Sequence, residues 1–181
     1  MSNILIETLD AATPALAQLA AMLVDVVAKG GSVSFMHPLA PDAALAFWQQ
    51  SLGAAARGER LILGAWDGAT LAATVTLLLD CPPNQPHRAE IAKLMTCPGY
   101  RGRGIAAALV RQAEALAIKR GKTLLVLDTA SEGGARGLYA SLGFHLAGEI
   151  PGYALKPHGG LTGTLIYWKH IGDAAGDGRG R

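Results

Sequence analysis

Charge and aromatic side chains are both scarce in this chain. Of 181 residues only 17% are Asp, Glu, Lys or Arg and only 6% are Phe, Trp or Tyr, whereas half are apolar. This excludes a disordered segment, because enough apolar surface is present to offset the entropy of ordering. Sixteen basic residues face fourteen acidic ones, leaving a net charge of +2. Apart from Arg101 and Arg103 the basic residues are scattered, so no nucleic-acid partner is expected. Cysteine is limited to Cys81 and Cys97, which lack metal or redox spacing. They read as free thiols of a reducing cytoplasm. His37, His87, His145, His158 and His170 show no ligand spacing, so no metal is expected. No apolar run reaches the roughly 20 residues of a membrane span, and Met1-Ser2-Asn3 lacks the basic start of a signal peptide. A cytoplasmic location without a membrane partner follows as the expectation.

Glycine and proline, by contrast, are plentiful and divide the chain into elements. Ile4 to Leu9 alternates as a strand. Pro14 to Lys29 has helical apolar spacing, with Thr13 as N-cap and Gly30-Gly31 as its stop. Pro41 to Arg57 reads as a second helix. Leu61 to Trp66 and Thr70 to Leu79 read as strands around the hairpin turn Asp67-Gly68. Arg88 to Thr96 is a fourth strand, Gly104 to Arg120 a third helix, and Thr123 to Asp128 a strand whose continuous Leu-Leu-Val-Leu run suits burial on both faces. Ala135 to Leu142 is a short helix. Phe144 to Glu149 and Leu161 to Lys169 are two last strands, joined by a loop over Pro151 to Gly160. Residues 1–171 are read as one domain and 172–181 as a flexible tail.

The most informative stretch is Tyr100-Arg101-Gly102-Arg103-Gly104-Ile105-Ala106, between the fourth strand and the third helix. Backbone N–H groups at a glycine-rich turn converge on one point, and the helix dipole adds partial positive charge there. Arg101 and Arg103 add formal charge. The site suits a phosphate. The P-loop pattern fails, because Gly104-Ile105-Ala106 carries no Lys-Ser/Thr. The dinucleotide fingerprint meets Ala107 at its third glycine and would need to open the fold.

The pattern R-x-x-G-x-A after an apolar strand resembles the acetyl-CoA-binding motif of the GNAT superfamily of N-acetyltransferases. Ala135-Arg136-Gly137-Leu138-Tyr139-Ala140-Ser141-Leu142-Gly143-Phe144 is similar to the A-x-x-L-Y-x-x-L-G-F element of the same enzymes, and this likeness covers roughly Leu61 to Lys169. Gly30 to Met36, Arg88-Ala89-Glu90, Lys93-Leu94-Met95, Leu127-Asp128-Thr129 and Gly148 to Tyr153 look like segments of the tabtoxin-resistance acetyltransferase subgroup. The resemblance implies an α/β fold with a mixed, mostly antiparallel sheet of about seven strands and four helices. The order is β-α-α-β-β-β-α-β-α-β-β, with strands four and five splayed around the cofactor. It also implies acetyl-CoA as cosubstrate, and a homodimer by family habit.

Acetyl transfer to an amine needs a neutral amine, a polarised carbonyl, a proton for the departing sulfur and alignment of two substrates. Glu90, on the fourth strand, is the candidate base; its alternative is an ion pair with Arg88 or Lys93. Asp128 is the candidate for holding the amine, and otherwise caps the following turn. Tyr139 is the candidate acid, and otherwise a core aromatic beside Leu142 and Phe144. By the resemblance, Leu94, Met95 and Thr96 contribute backbone to the cofactor, and Arg101, Gly102, Arg103, Gly104, Ile105 and Ala106 hold its phosphates. Phe35, Trp48 and Tyr153 are the candidates for the acceptor side, and Trp48 is otherwise a core aromatic of the second helix. Glu132 stands where many relatives have an asparagine that bonds the pantetheine arm. The reading is transfer to the primary amine of a small molecule, in the direction of an amino-acid-like toxin or antibiotic. A protein or peptide acceptor and a non-catalytic acyl-CoA sensor are the alternatives.

Overall fold

The computed structural model describes residues 4–11, 14–133 and 135–172. The element order is β1 (Ile4–Leu9), α1 (Leu16–Ala28), α2 (Pro41–Ala56), β2 (Arg60–Asp67), β3 (Thr70–Leu78), β4 (Arg88–Thr96), α3 (Ile105–Lys119), β5 (Leu124–Ala130), α4 (Arg136–Ser141), β6 (His145–Leu155) and β7 (Leu161–His170). The seven strands form one sheet in the order β1-β2-β3-β4-β5-β7-β6. Every neighbouring pair is antiparallel except β4 and β5.

Side-chain alternation gives the sheet two apolar faces, each covered by helices. On one face Leu61, Leu63, Val75, Leu77, Ala89 and Ile91 meet Ile105, Leu109, Val110 and Ala113 of α3. On the other, Ile62, Trp66 and Leu71 meet Leu19, Leu23 and Val27 of α1 and Trp48 and Leu52 of α2. The two cores are the reason β2 and β3 are buried along nearly their whole length, whereas burial alternates in the first half of β4 and in β5.

The β4–β5 junction positions everything that follows. Their ladder consists of Arg88↔Leu124, Ala89↔Leu125 and Glu90↔Val126, and then stops. Beyond it β4 stays with β3 and β5 stays with β7. The splay expected from the resemblance is therefore present, with Glu90 at its apex.

Two departures from the sequence reading concern strand ends. β5 continues past Asp128 to Ala130, so Asp128 lies within a ladder rather than at a turn. β6 extends to Leu155, absorbing half of the loop expected over Pro151 to Gly160. It does so through an irregularity between Ile150↔Thr164 and Ala154↔Thr162 that accommodates Pro151-Gly152-Tyr153. The expected N-cap Thr13 and the expected tail beyond Gly172 lie outside the described residues.

Candidate active site

A cavity of about 380 Å³ occupies the split between β4 and β5. Its walls come from the Ser32–Met36 segment after α1, Ile91 to Leu94 of β4, Asp128 to Ala130 of β5, Tyr139 of α4, and Tyr153 to Leu155 with Thr162 to Thr164 of the β6–β7 pair. The site thus joins residues more than 100 positions apart.

A β-bulge shapes the β4 wall. Thr74↔Met95 and Thr76↔Ala92 leave β4 with one residue more than β3. Lys93 takes it up with a φ of +49°. In an uninterrupted strand Ala89, Ile91 and Met95 would share a face. Here Ala89 and Ile91 pack toward α3, whereas Met95 packs toward α1 and α2. The bulge reverses the alternation and turns the Lys93 amine into the cavity, where it donates to Ser34 Oγ at 3.0 Å.

Asp128 lines the cavity, and its Oδ2 accepts from Thr164 Oγ1 at 2.8 Å across the β5–β7 ladder. That bond replaces the turn-capping alternative and fixes the carboxylate's orientation. Glu90 sits one layer out and is not among the cavity-lining residues. Arg88 Nη1 donates to its Oε2 at 3.1 Å, while Arg88 Nε donates to Gln85. The surface-pair alternative is therefore realised at Glu90, at the vertex of the split.

Tyr139 is 5% exposed and packs against Phe144 and Tyr167, with ring centroids 5.9 and 5.5 Å apart. It also lines the cavity, so the core-aromatic and functional readings coexist. Burial, then the fields of Asp128 and Tyr167, push its phenol up to about 12. The group stays protonated through the physiological range.

The glycine-rich loop follows β4 by way of a short 3-10 turn at Pro98–Tyr100, at the strand's open end. Gly102 and Gly104 have φ values of +72° and +76°, which a side chain would strain, and open space lies where their Cβ atoms would be. Gly104 is the N-cap of α3. The first-turn N–H groups of Ile105, Ala106 and Ala107 have no carbonyl one turn back within the helix. Arg101 Nε reaches Thr96 O at 3.4 Å, and the Arg103 guanidinium stands 4.9 Å from the Tyr100 ring centroid. The loop meets the needs of a polyphosphate: free donors, open space and two guanidinium groups.

Phe35 and Tyr153 are in the cavity wall. Trp48 is not. It is fully buried between α1 and the sheet, so its expected place in the acceptor pocket is corrected. The signal was present: Ala44, Trp48, Ser51 and Leu52 form one buried helical stripe. Leu94 lines the cavity, whereas Met95 is 3% exposed in the α1–α2 core. Glu132 pairs with Lys156 on the surface at 3.1 Å. Neither cysteine is in the cavity wall; burial pushes the Cys97 thiol up, and its Sγ donates to Leu71 O. Sequence reasoning missed Lys93 and Ser34 as site residues, because the bulge that aims Lys93 is invisible in the alternation.

Residues 30–144 match the family model described as the acetyltransferase (GNAT) family, more than half of the chain. The chain belongs to the GNAT acetyltransferase family. It is accordingly an acyltransferase. Solved structures share the fold at low identity. An N-acetyltransferase from Staphylococcus aureus Mu50 superposes with a TM-score of 0.80 at 19% identity, covering 94% of this chain and 100% of that one. A ribosomal-protein-alanine N-acetyltransferase from Brucella melitensis gives 0.80 at 21%, covering 92% and 99%. The yncA structure from Salmonella typhimurium, which holds its cofactor acetyl-CoA, gives 0.76 at 18%, covering 95% and 96%. In this GNAT chain the seven-stranded sheet and four helices follow the expected order. Among the described residues no helix is long and apolar enough to cross a membrane.

Proposed function

We propose that this GNAT enzyme transfers the acetyl group of acetyl-CoA to a primary amine of a small molecule, in the manner of the tabtoxin-resistance subgroup. The observation that carries the reading is the cavity in the β4–β5 split, walled by Asp128 and Tyr139, with the donor-rich glycine loop at the open end of β4. Acetyl-CoA supplies an activated acyl group as a thioester. The N–H groups at the start of α3, with Arg101 and Arg103, hold the phosphates. The Leu94 backbone, freed from any β5 partner, offers hydrogen bonds to the thioester end.

On the acceptor side, Asp128 holds the amine as an ammonium or accepts hydrogen bonds from it. Glu90, ion-paired and one layer out, takes the amine proton through water rather than by contact. Tyr139 donates a hydrogen bond to the departing sulfur. With its phenol near 12 and a thiol near 8.5, full proton transfer from Tyr139 to the departed thiolate runs uphill by about 5 kcal/mol. Tyr139 therefore acts as a neutral donor while the C–S bond breaks. Direct attack in a ternary complex is supported by the absence of cysteine from the cavity wall.

A coenzyme A release assay over amino-acid-like toxins, aminoglycosides, polyamines and peptides tests this reading. Turnover of one small-amine class, reduced at least about 100-fold in Asp128→Asn, is expected. Turnover confined to peptides, or none with any amine, overturns it.

A further inference from the structure

We propose that Lys93, held by Ser34, is the anion subsite of the acceptor pocket, so that the preferred acceptor carries a carboxylate close to the amine that is acetylated. The inference rests on the small-molecule acetyltransferase reading and adds the acceptor's second charge to it.

Three independent observations converge on this pair. First, among the described residues only two non-glycine residues have positive φ, Ser34 at +74° and Lys93 at +49°. They are hydrogen-bonded to each other at 3.0 Å, and both line the cavity. Left-handed backbone at non-glycine residues costs free energy and gathers at functional sites. Here the strain lies on both sides of one bond and serves to aim one amine.

Second, Lys93 is poorly compensated. Among the described residues it forms no ion pair. Its Nζ stands 6.0 and 5.8 Å from the centroids of Phe35 and Phe47, near the outer limit of a useful cation–π contact. Burial lowers its pKa, with Asp128 and Glu90 pulling in the opposite direction. One hydroxyl and two ring faces leave donor capacity unused, because an ammonium carries three N–H bonds. A carboxylate oxygen entering the cavity would take them.

Third, the cavity is dipolar. Lys93 on β4 and Asp128 on β5 are the charged groups of its lining, one of each sign, on opposite arms of the split. They interact electrostatically without contact. Asp128 is oriented by Thr164 and Lys93 by Ser34, so each charge has its own support. A cation and an anion held apart across a cavity of about 380 Å³ are complementary to a zwitterion. An amino acid or amino-acid analogue sets its ammonium toward Asp128 and its carboxylate toward Lys93. A polyamine would place positive charge against Lys93, and a simple alkyl amine would leave it bare.

The test compares L-methionine, L-glutamine and L-phenylalanine with their α-carboxamides, in acetyl-CoA turnover and in calorimetric binding at saturating coenzyme A. Wild type, Lys93→Met and Ser34→Ala are used. Wild type is expected to favour at least one acid over its amide by about 10- to 100-fold in kcat/KM and in Kd, the worth of a charge-assisted hydrogen bond. Lys93→Met brings that ratio to near one, and Ser34→Ala reduces it partway while the protein keeps its circular dichroism. A wild-type ratio near one, or a ratio unchanged in Lys93→Met, overturns the assignment. Binding that discriminates acid from amide without turnover of any of these amines would sink the small-molecule transfer reading and leave the anion subsite standing.

Discussion

Replacing Tyr139 by phenylalanine removes one hydroxyl from the cavity wall and keeps the ring that packs on Phe144 and Tyr167. The native phenol titrates near 12, against about 10 in an unfolded chain. Below pH 10 both states hold the proton, and the group adds no pH dependence. Between pH 10 and 12 the unfolded chain loses the proton while the folded chain keeps it. Stability is then lost as pH rises, because the unfolded state binds fewer protons. Two pKa units at 1.36 kcal/mol each make the loss about 3 kcal/mol. Phenylalanine cannot ionise, so the difference in unfolding free energy, wild type minus Tyr139→Phe, should be flat from pH 7 to about 9.5. It should then fall by up to about 3 kcal/mol toward pH 12. Urea titrations at half-unit intervals measure this, and other titrating groups cancel in the difference. Parallel curves across the whole range would refute the claim that burial holds this phenol neutral. Steady-state kinetics on the same variant test the chemistry. kcat should fall about 100-fold with little change in the KM for acetyl-CoA, and an unchanged kcat would remove Tyr139 as donor to the sulfur.

Gly104→Ala meets no neighbouring atom, so its cost to the folded protein is the left-handed backbone alone, about 1–2 kcal/mol in thermal denaturation. Its methyl enters the phosphate cradle, so the KM for acetyl-CoA should rise several-fold, and an unchanged KM would show that the cradle is not used. Trp48→Ala should cost about 3–5 kcal/mol as a core cavity. Trp48→Phe, which retains most of the volume and drops an indole N–H that has no partner among the described residues, should cost less than about 2 kcal/mol and leave the acceptor KM unchanged, as initial-rate kinetics would show.

Much of the fold was legible because its signals are local. The proline at the first turn of α2, the Asp67-Gly68 hairpin and the glycine cap of α3 each set a boundary within a few residues. The β5 run Leu124 to Leu127 misleads: its composition suits burial on both faces, yet only Leu125 and Leu127 are buried, while Leu124 and Val126 on the other face stay half-exposed beside the split. The site was legible only where local sequence carries function, as in the Arg101 to Ala106 loop. What was lost depends on register. One extra residue in β4 reverses the faces of everything after it, and no composition rule reports which residue takes the left-handed angle. Lys93 was therefore passed over, although its chain neighbours Leu94 and Met95 were named. Trp48 is the opposite case: its helical stripe already carries the core alternative, which the structure bears out, and only its region of the chain points to the acceptor side.

The sheet is two plates rather than one. β1 to β4 form the first, and β5, β7 and β6 the second, and the ladder between them is three residue pairs long. Apart from that seam, the plates share the apolar layer beneath α3 and α4, which is soft in shear compared with a hydrogen-bonded ladder. A molecule lodged in the split touches both plates and acts as a strut across a hinge. Occupancy should therefore stiffen the molecule far beyond the atoms it contacts, slowing amide exchange in β5 and β7 as well as at the loop.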